Sequence, residues 1–174
     1  DQFIGNPDLK PEKSRGWELG FDSQWVKQGV TLGAVYFNSK LEDEIDGFVF
    51  DPETFLFTAK NRVMDSHRKG VEVVFDWKPL AHFDIAANYT YTDSTEPMGE
   101  EDVRELRRPR HMGSLVLQYR FANDRAYTNL NVSYTGKQYD VFFDPATFLS
   151  EQVELDSYTL LDLAGGWKIT DSLE

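Results

Sequence analysis

Cysteine is absent from the 174 residues, which excludes a disulfide framework, a thiolate zinc or iron–sulfur centre and a thiol nucleophile. Long apolar runs are missing too: nowhere do about 18 apolar residues follow one another, so no membrane helix is expected. That test leaves membrane strands open, because a strand crosses with only about 9–11 residues that alternate apolar with polar. Basic residues are scarce, with 18 Lys and Arg against 30 Asp and Glu and a net charge of −12. A nucleic-acid backbone needs clustered Lys and Arg, so no nucleic-acid partner is expected. Aromatics, by contrast, are plentiful: 13 Phe, 8 Tyr and 4 Trp are too many for a disordered acidic chain. Averaged over the chain, this charge and a mean hydropathy of −0.52 describe one soluble acidic domain. The local pattern does not.

A period of two recurs along the chain. Trp17, Leu19, Phe21 and Trp25 alternate with Glu18, Gly20, Asp22 and Gln24. Val71, Val73, Phe75 and Trp77 alternate with a set that includes Glu72 and Asp76. Phe83, Ile85, Ala87, Tyr89 and Tyr91 oppose Asp84, Asn88, Thr90 and Thr92, and this is the cleanest case. Further alternating runs cover 111–121, 128–136 and 159–168, and 30–36 fits less well because Val35 and Phe37 spoil its polar face. The expectation is an all-β chain, an antiparallel meander of about seven strands with no helix of useful length.

Short connections at 26–29, 78–82, 122–125 and 170–172 alternate with longer polar ones around 40–54, 93–110 and 144–156. In an antiparallel meander the two kinds then lie at opposite ends. The first long connection is expected to be mostly strand with a tight tip, since Phe48, Phe50, Phe55 and Phe57 flank it. A small repeat agrees: Phe50-Asp51-Pro52-Glu53-Thr54-Phe55-Leu56 returns as Phe143-Asp144-Pro145-Ala146-Thr147-Phe148-Leu149, and Asp followed by Pro opens a turn. Segments 1–13, 40–54, 93–110 and 144–156 hold 19 acidic and 7 basic residues, which is the whole of the −12. The acidic excess therefore sits at the long-loop end.

Aromatic placement separates a membrane sheet from a soluble one. Trp25, Trp77, Phe121 and Trp167 all lie on the apolar face, each within a few residues of a short turn. A soluble β-sandwich buries its Trp anywhere along a strand, whereas a membrane-interface girdle demands one level. A soluble or surface β-sandwich binding module is the alternative, with these Trp in its core.

Several segments, taken in order, resemble the TonB-dependent outer-membrane receptors: Asn6-Pro7-Asp8-Leu9-Lys10-Pro11-Glu12-Lys13-Ser14 leading into Trp17-Glu18-Leu19-Gly20; Tyr36-Phe37-Asn38 with Ile45; Asn61 with Lys69-Gly70-Val71-Glu72; Asn88-Tyr89-Thr90-Tyr91-Thr92-Asp93; Arg107-Arg108-Pro109-Arg110-His111; and Tyr134-Thr135-Gly136 with Tyr139-Asp140. The similarity covers nearly the whole chain. Within the family, the Lys-Pro-Glu-Lys-Ser segment, the double Arg, Tyr139-Asp140 and Ile169-Thr170-Asp171-Ser172-Leu173 are similar to the cobalamin receptor, and siderophore receptors share most of these features. The resemblance implies a segment of a 22-stranded transmembrane β-barrel in the outer membrane of a Gram-negative bacterium. It implies that residues 1–174 are a fragment of that barrel, without the plug domain and the carboxy-terminal strand. It also implies uptake of a scarce nutrient, cobalamin or an iron–siderophore, driven by the TonB complex through the plug. Expected partners are outer-membrane lipid and lipopolysaccharide, the small nutrient ligand and that complex; no cofactor is expected.

Each candidate site has a plainer reading beside it. Glu42, Asp43, Glu44 and Asp46, and Glu100, Glu101 and Asp102, lack the spacing of a calcium loop and read as solvated loop surface, with no metal site expected. Arg104, Arg107, Arg108 and Arg110 form the only dense basic run. Arg107 and Arg108 are substrate-contact candidates because Arg grips anions in two-pronged hydrogen bonds; the plainer reading is pairing with acids of the same loop. Tyr139, Phe142 and Phe143, at the outer end of strand six, are also candidates for substrate contact. His67, His82 and His111 are scattered, and adjacent Ser66 and His67 in a strand point to opposite faces, so no hydrolase triad and no enzyme is expected.

Overall fold

The computed structural model describes residues 2–98, 101–147 and 149–169. Twelve strands follow one another: β1 Lys13–Trp25, β2 Val30–Glu42, β3 Ile45–Asp51, β4 Leu56–Asn61, β5 Ser66–Leu80, β6 Phe83–Met98, β7 Glu101–Arg104, β8 His111–Phe121, β9 Ala126–Thr135, β10 Gln138–Asp144, β11 Leu149–Leu155 and β12 Tyr158–Trp167. The main sheet runs β1-β2-β5-β6-β8-β9-β12, with β7 paired to the outer part of β6, and every strand pairing is antiparallel. The hairpins β3-β4 and β10-β11 stand apart as two-stranded sheets. The seven strands read from alternation are the seven strands of this path.

Registers carry one apolar face across the whole sheet. Residues directly opposite in an antiparallel pair share a face, and the chain of partners runs Leu32, Phe75, Ala87, Leu115, Val132, Leu161 from β2 to β12. The opposite face carries Glu18, Asp22, Glu72, Asp76, Asn88, Gln118, Asn131 and Asp162. On the apolar face, Phe121 lies edge-on to Trp167 with centroids 6.0 Å apart and stacks on Tyr119 at 5.8 Å, next to the short turns. At the long-loop end of that face Trp17 meets Tyr36 at 5.3 Å, and Tyr89 hydrogen-bonds the His111 ring at 2.7 Å. Aromatic side chains thus mark both ends of the apolar band. The second level includes Trp17, which the periodicity placed in no girdle.

Among the described residues the one buried apolar side chain is Ala126, while Leu19, Leu161 and Leu163 stay 71%, 69% and 78% exposed. Among the described residues no second sheet covers the apolar face, and each strand packs mainly against its neighbours in the sheet. A β-sandwich needs two packed layers with that face between them. The described residues form a single layer, unlike the two of the soluble β-sandwich alternative. Among the described residues no helix is long and apolar enough to cross a membrane, a statement that concerns helices alone.

Strands also run further than their alternation. β5 and β6 have 15 and 16 residues, beyond the roughly 9–11 that cross a bilayer. The surplus extends toward the long loops, where both faces turn polar and the contrast that reveals a period of two disappears. Segments 93–110 and 144–156, expected as loops, accordingly contain the end of β6, β7 and β11. The strand-rich first connection is found as β3-β4. Its tip is held by Asp51, whose Oδ1 accepts from Glu53 N at 3.2 Å and Oδ2 from Thr54 Oγ1 at 3.0 Å. The repeat copies it: Asp144 accepts from Ala146 N at 2.8 Å and from Thr147 Oγ1 at 2.9 Å. Phe148 of the repeat, the 170–172 turn and Glu100 lie outside the described residues. At the opposite end, Ala122, Asn123 and Asp124 take three successive left-handed conformations, with φ of 54°, 55° and 62°, so the β8-β9 turn reverses within four residues.

Candidate ligand-binding cleft

Where the strands outrun the apolar band, three hairpins enclose a cleft of about 550 Å³. One wall comes from β3-β4, with Asp46, Val49 and Lys60, and continues through Arg62, Val63 and Met64 toward β5. The second comes from the β6-β7 hairpin and the residues after it: Glu96, Pro97, Val103 and Leu106. The third is β10-β11, with Val141, Ser150, Glu151 and Gln152. Both copies of the Asp-Pro-x-Thr repeat thus form tips of hairpins on this cleft.

Ion pairs hold the walls in place. Arg62 donates to Glu96 Oε2 at 2.7 Å, and the other oxygen of Glu96 accepts from the backbone N–H of Leu106 at 3.2 Å. One carboxylate therefore ties the first wall to the second. Burial works against the charge on Arg62, and the Glu96 carboxylate more than restores it, raising the guanidinium above its ordinary value. Beside this pair, Arg68 on β5 grips Glu105 through Nε at 2.9 Å and Nη2 at 2.7 Å, and Arg108 reaches the same carboxylate at 2.9 Å. Ser66, fully buried, donates to Glu44, which also faces Arg68 at 3.9 Å. A two-pronged guanidinium–carboxylate pair fixes orientation as well as distance, so the β7-β8 connection is locked to the top of β5.

The candidate residues read from the sequence surround this cleft but do not line it. Arg108 is held by Glu105, the pairing within one loop that was the plainer reading. Arg107 pairs instead with Asp140 at 2.9 Å, its backbone N–H donates to Tyr139 O at 2.7 Å, Arg110 pairs with Asp93 at 2.7 Å, and Arg104 lies over the Tyr139 ring at 5.5 Å. The Asp140 carboxyl is held below its ordinary value by the N–H of Val141 and by Arg107. Tyr139 donates to Glu154, which also takes Lys137 at 2.6 Å. Phe142 and Phe143 are 55% and 53% exposed on β10. Val49, Val63, Met64 and Leu106 were missed by the sequence reading. Four apolar residues scattered over one strand and two connections have no spacing to betray them, and only the pairing of hairpins brings them together.

The fold and this cleft define a class: an antiparallel membrane wall, apolar on one face, with hairpins around a cleft at its acidic end. Over residues 1–174 the chain matches the sequence model of the family described as TonB dependent receptor-like, beta-barrel. The chain belongs to that family, and its place is the outer membrane of a Gram-negative bacterium. Its fold is similar to that of the pyoverdine outer membrane receptor FpvA from Pseudomonas aeruginosa PAO1 bound to pyoverdine, with 19% identity, a TM-score of 0.76, 94% of this chain and 24% of that one covered. The FrpB iron transporter from Neisseria meningitidis matches with 15% identity, a TM-score of 0.73 and coverage of 95% and 26%. The ferric yersiniabactin uptake receptor FyuA from Yersinia pestis matches with 22% identity, a TM-score of 0.67 and coverage of 92% and 23%. The chain spans about a quarter of the length of these solved structures.

Proposed function

We propose that this chain is part of the barrel wall of an active transport receptor that takes up an iron–siderophore complex across the outer membrane with energy from the TonB complex. The cleft between the three loop-end hairpins carries the reading: its volume suits a small-molecule ligand, and it opens at the acidic end of the sheet. The names of the fold neighbours, receptors and transporters of iron or ferric chelates, support the ligand class. In this reading residues 1–174 are a fragment of the barrel, and plug and remaining strands belong to the rest of the receptor. Trp25, Trp77, Phe121 and Trp167 sit at the outer-membrane interface on the short-turn side, and the apolar face meets lipid and lipopolysaccharide. Arg107, Arg108, Tyr139, Phe142 and Phe143 form the rim that a ligand passes. Cobalamin is the second reading, favoured by the segment Lys10 to Ser14, Arg107-Arg108 and Tyr139-Asp140.

The test is uptake by a Gram-negative strain lacking its own ferric-siderophore and cobalamin receptors and carrying the full-length receptor. Growth on a ferric siderophore that requires both the receptor and a functional TonB is the expected result. Growth on cobalamin alone would move the assignment to the second reading, and uptake independent of TonB would overturn the energy coupling.

A further inference from the structure

The cleft has a charge character that narrows the ligand, and this inference rests on the uptake reading above. Six arginines around the cleft are already engaged: Arg62 by Glu96, Arg68 and Arg108 by Glu105, Arg107 by Asp140, Arg110 by Asp93, and Arg104 over the Tyr139 ring. Arginine recognises anions through free, fixed pairs of N–H donors, and of these six only Arg62 lines the cleft, its Nη1 already committed to Glu96. Its lining adds two cations, Lys60 and Arg62, to three carboxylates, Asp46, Glu96 and Glu151. A polyanion entering here meets a wall that is negative on balance and a chain of net charge −12.

The same cleft offers much apolar surface. Val63 is fully exposed and Met64 is 37% exposed on one wall, with Val49 beside them, Leu106 on the second wall and Val141 on the third. Solvent-exposed aliphatic side chains that converge from three separate hairpins are an unpartnered surface of the kind that ligands cover. Ser150 and Gln152 supply uncharged hydrogen-bonding groups on the third wall.

We infer that the cleft takes an amphipathic ligand of zero or positive net charge, its apolar flank on Val63, Met64 and Leu106 and its polar edge toward Ser150 and Gln152. A neutral ferric trihydroxamate belongs to this class, and a trianionic ferric triscatecholate does not. Met adapts its flexible thioether to irregular apolar shapes, which suits a ligand flank of this kind.

The experiment measures binding to the detergent-purified full-length receptor of three probes: a neutral ferric trihydroxamate, a trianionic ferric triscatecholate and cyanocobalamin. Each is repeated with the double variant Val63→Asp, Met64→Ser and, as a control, with Val26→Ser, at an exposed position in a short turn at the other end of the sheet. The expected result is at least tenfold tighter binding of the neutral chelate than of the trianionic one, lost at least tenfold in the double variant and unchanged in the control. Val63 touches water on all sides, so its replacement leaves folding intact. Equal or tighter binding of the triscatecholate overturns the inference while the uptake reading stands. Tight binding of cyanocobalamin alone, weakened by the double variant, upholds the charge class and removes the iron assignment. Neutral-chelate binding that the double variant leaves unchanged overturns the placement in this cleft, and binding of none of the three overturns both readings.

Discussion

Arg68 and Glu105 meet edge to edge, Nε on Oε2 at 2.9 Å and Nη2 on Oε1 at 2.7 Å, although 37 residues separate them in the chain. The pair joins a wall strand to a loop, and with Arg62–Glu96 it keeps two sides of the cleft at a fixed distance. Glu105→Gln should cost about 1–2 kcal/mol of local stability, less than the loss of a fully buried pair because water still reaches part of Arg68. Hydrogen exchange of the 105–108 backbone is the readout. It should quicken in the variant while the β8-β9 core of the sheet is unaltered, and unchanged exchange at 105–108 would show that the pair does not hold the loop.

The same carboxyl gives the loop end a pH dependence. Burial pushes Glu105 up, but Arg68, with Arg108 behind it, outweighs burial and holds the carboxyl below the ordinary Glu value. A group that gives up its proton more readily in the closed loop than in the opened one stabilises closure at pH values above its ordinary range. That contribution fades as the pH falls through the lowered value. The loop should therefore be held closed at neutral pH and loosen only once the pH has fallen below the ordinary Glu range. Limited proteolysis between β7 and β8 across the acid range should show cleavage appearing only on that side. Cleavage that grows toward alkaline pH would have the wrong sign.

Gly70 on β5 lies directly opposite Phe37 on β2. A Cβ at Gly70 would stand 2.1 Å from Tyr91 O and 2.6 Å from the Phe37 ring, one of them backbone that cannot swing away. Gly70→Val should destabilise the wall by about 1–3 kcal/mol or more, the range for forced overpacking. Gly47→Val, where no atom lies within 4 Å, should have little effect. The comparison is the urea midpoint of the refolded receptor in both variants.

That pair also shows where the sequence stopped being readable. Val35 and Phe37 spoiled the alternation of β2 because they are apolar on the polar face. In the fold each covers a glycine on a neighbouring strand, Val35 over Gly20 and Phe37 over Gly70. An aromatic laid across a strand glycine shields backbone that has no side chain of its own, and a period-two count cannot see a partner on another strand. Trp17 stood outside the girdle for a related reason, since its level is marked by aromatics of other strands, Tyr36 beside it and Tyr89 with His111 further along. The seven wall strands were legible because one face is apolar over their whole crossing. The cleft was not, because β3, β7, β10 and β11 are short and lack a clean apolar–polar alternation, and their lining residues meet through tertiary pairing alone. Arg107 shows the same limit: its partner Asp140 is 33 positions away, beyond any local pattern.

The assignment of faces can be tested at two adjacent residues. Leu117 pairs with Ile85 and Leu130 on the apolar face, midway between the two aromatic levels, while Gln118 pairs with Asp84 and Asn129 on the other. An arginine at the bilayer midplane costs about 2–4 kcal/mol on the lipid side of a barrel, and far less where it faces the lumen. Leu117→Arg should therefore lower the unfolding free energy of the full-length receptor in lipid vesicles by that amount. Gln118→Arg introduces the same charge one residue away among Asp84 and polar neighbours, and should cost under about 1 kcal/mol. Denaturant titrations of both variants in vesicles give the comparison directly. A larger loss at 118 than at 117 would reverse inside and outside for every strand of the sheet, because the registers tie all seven to one choice.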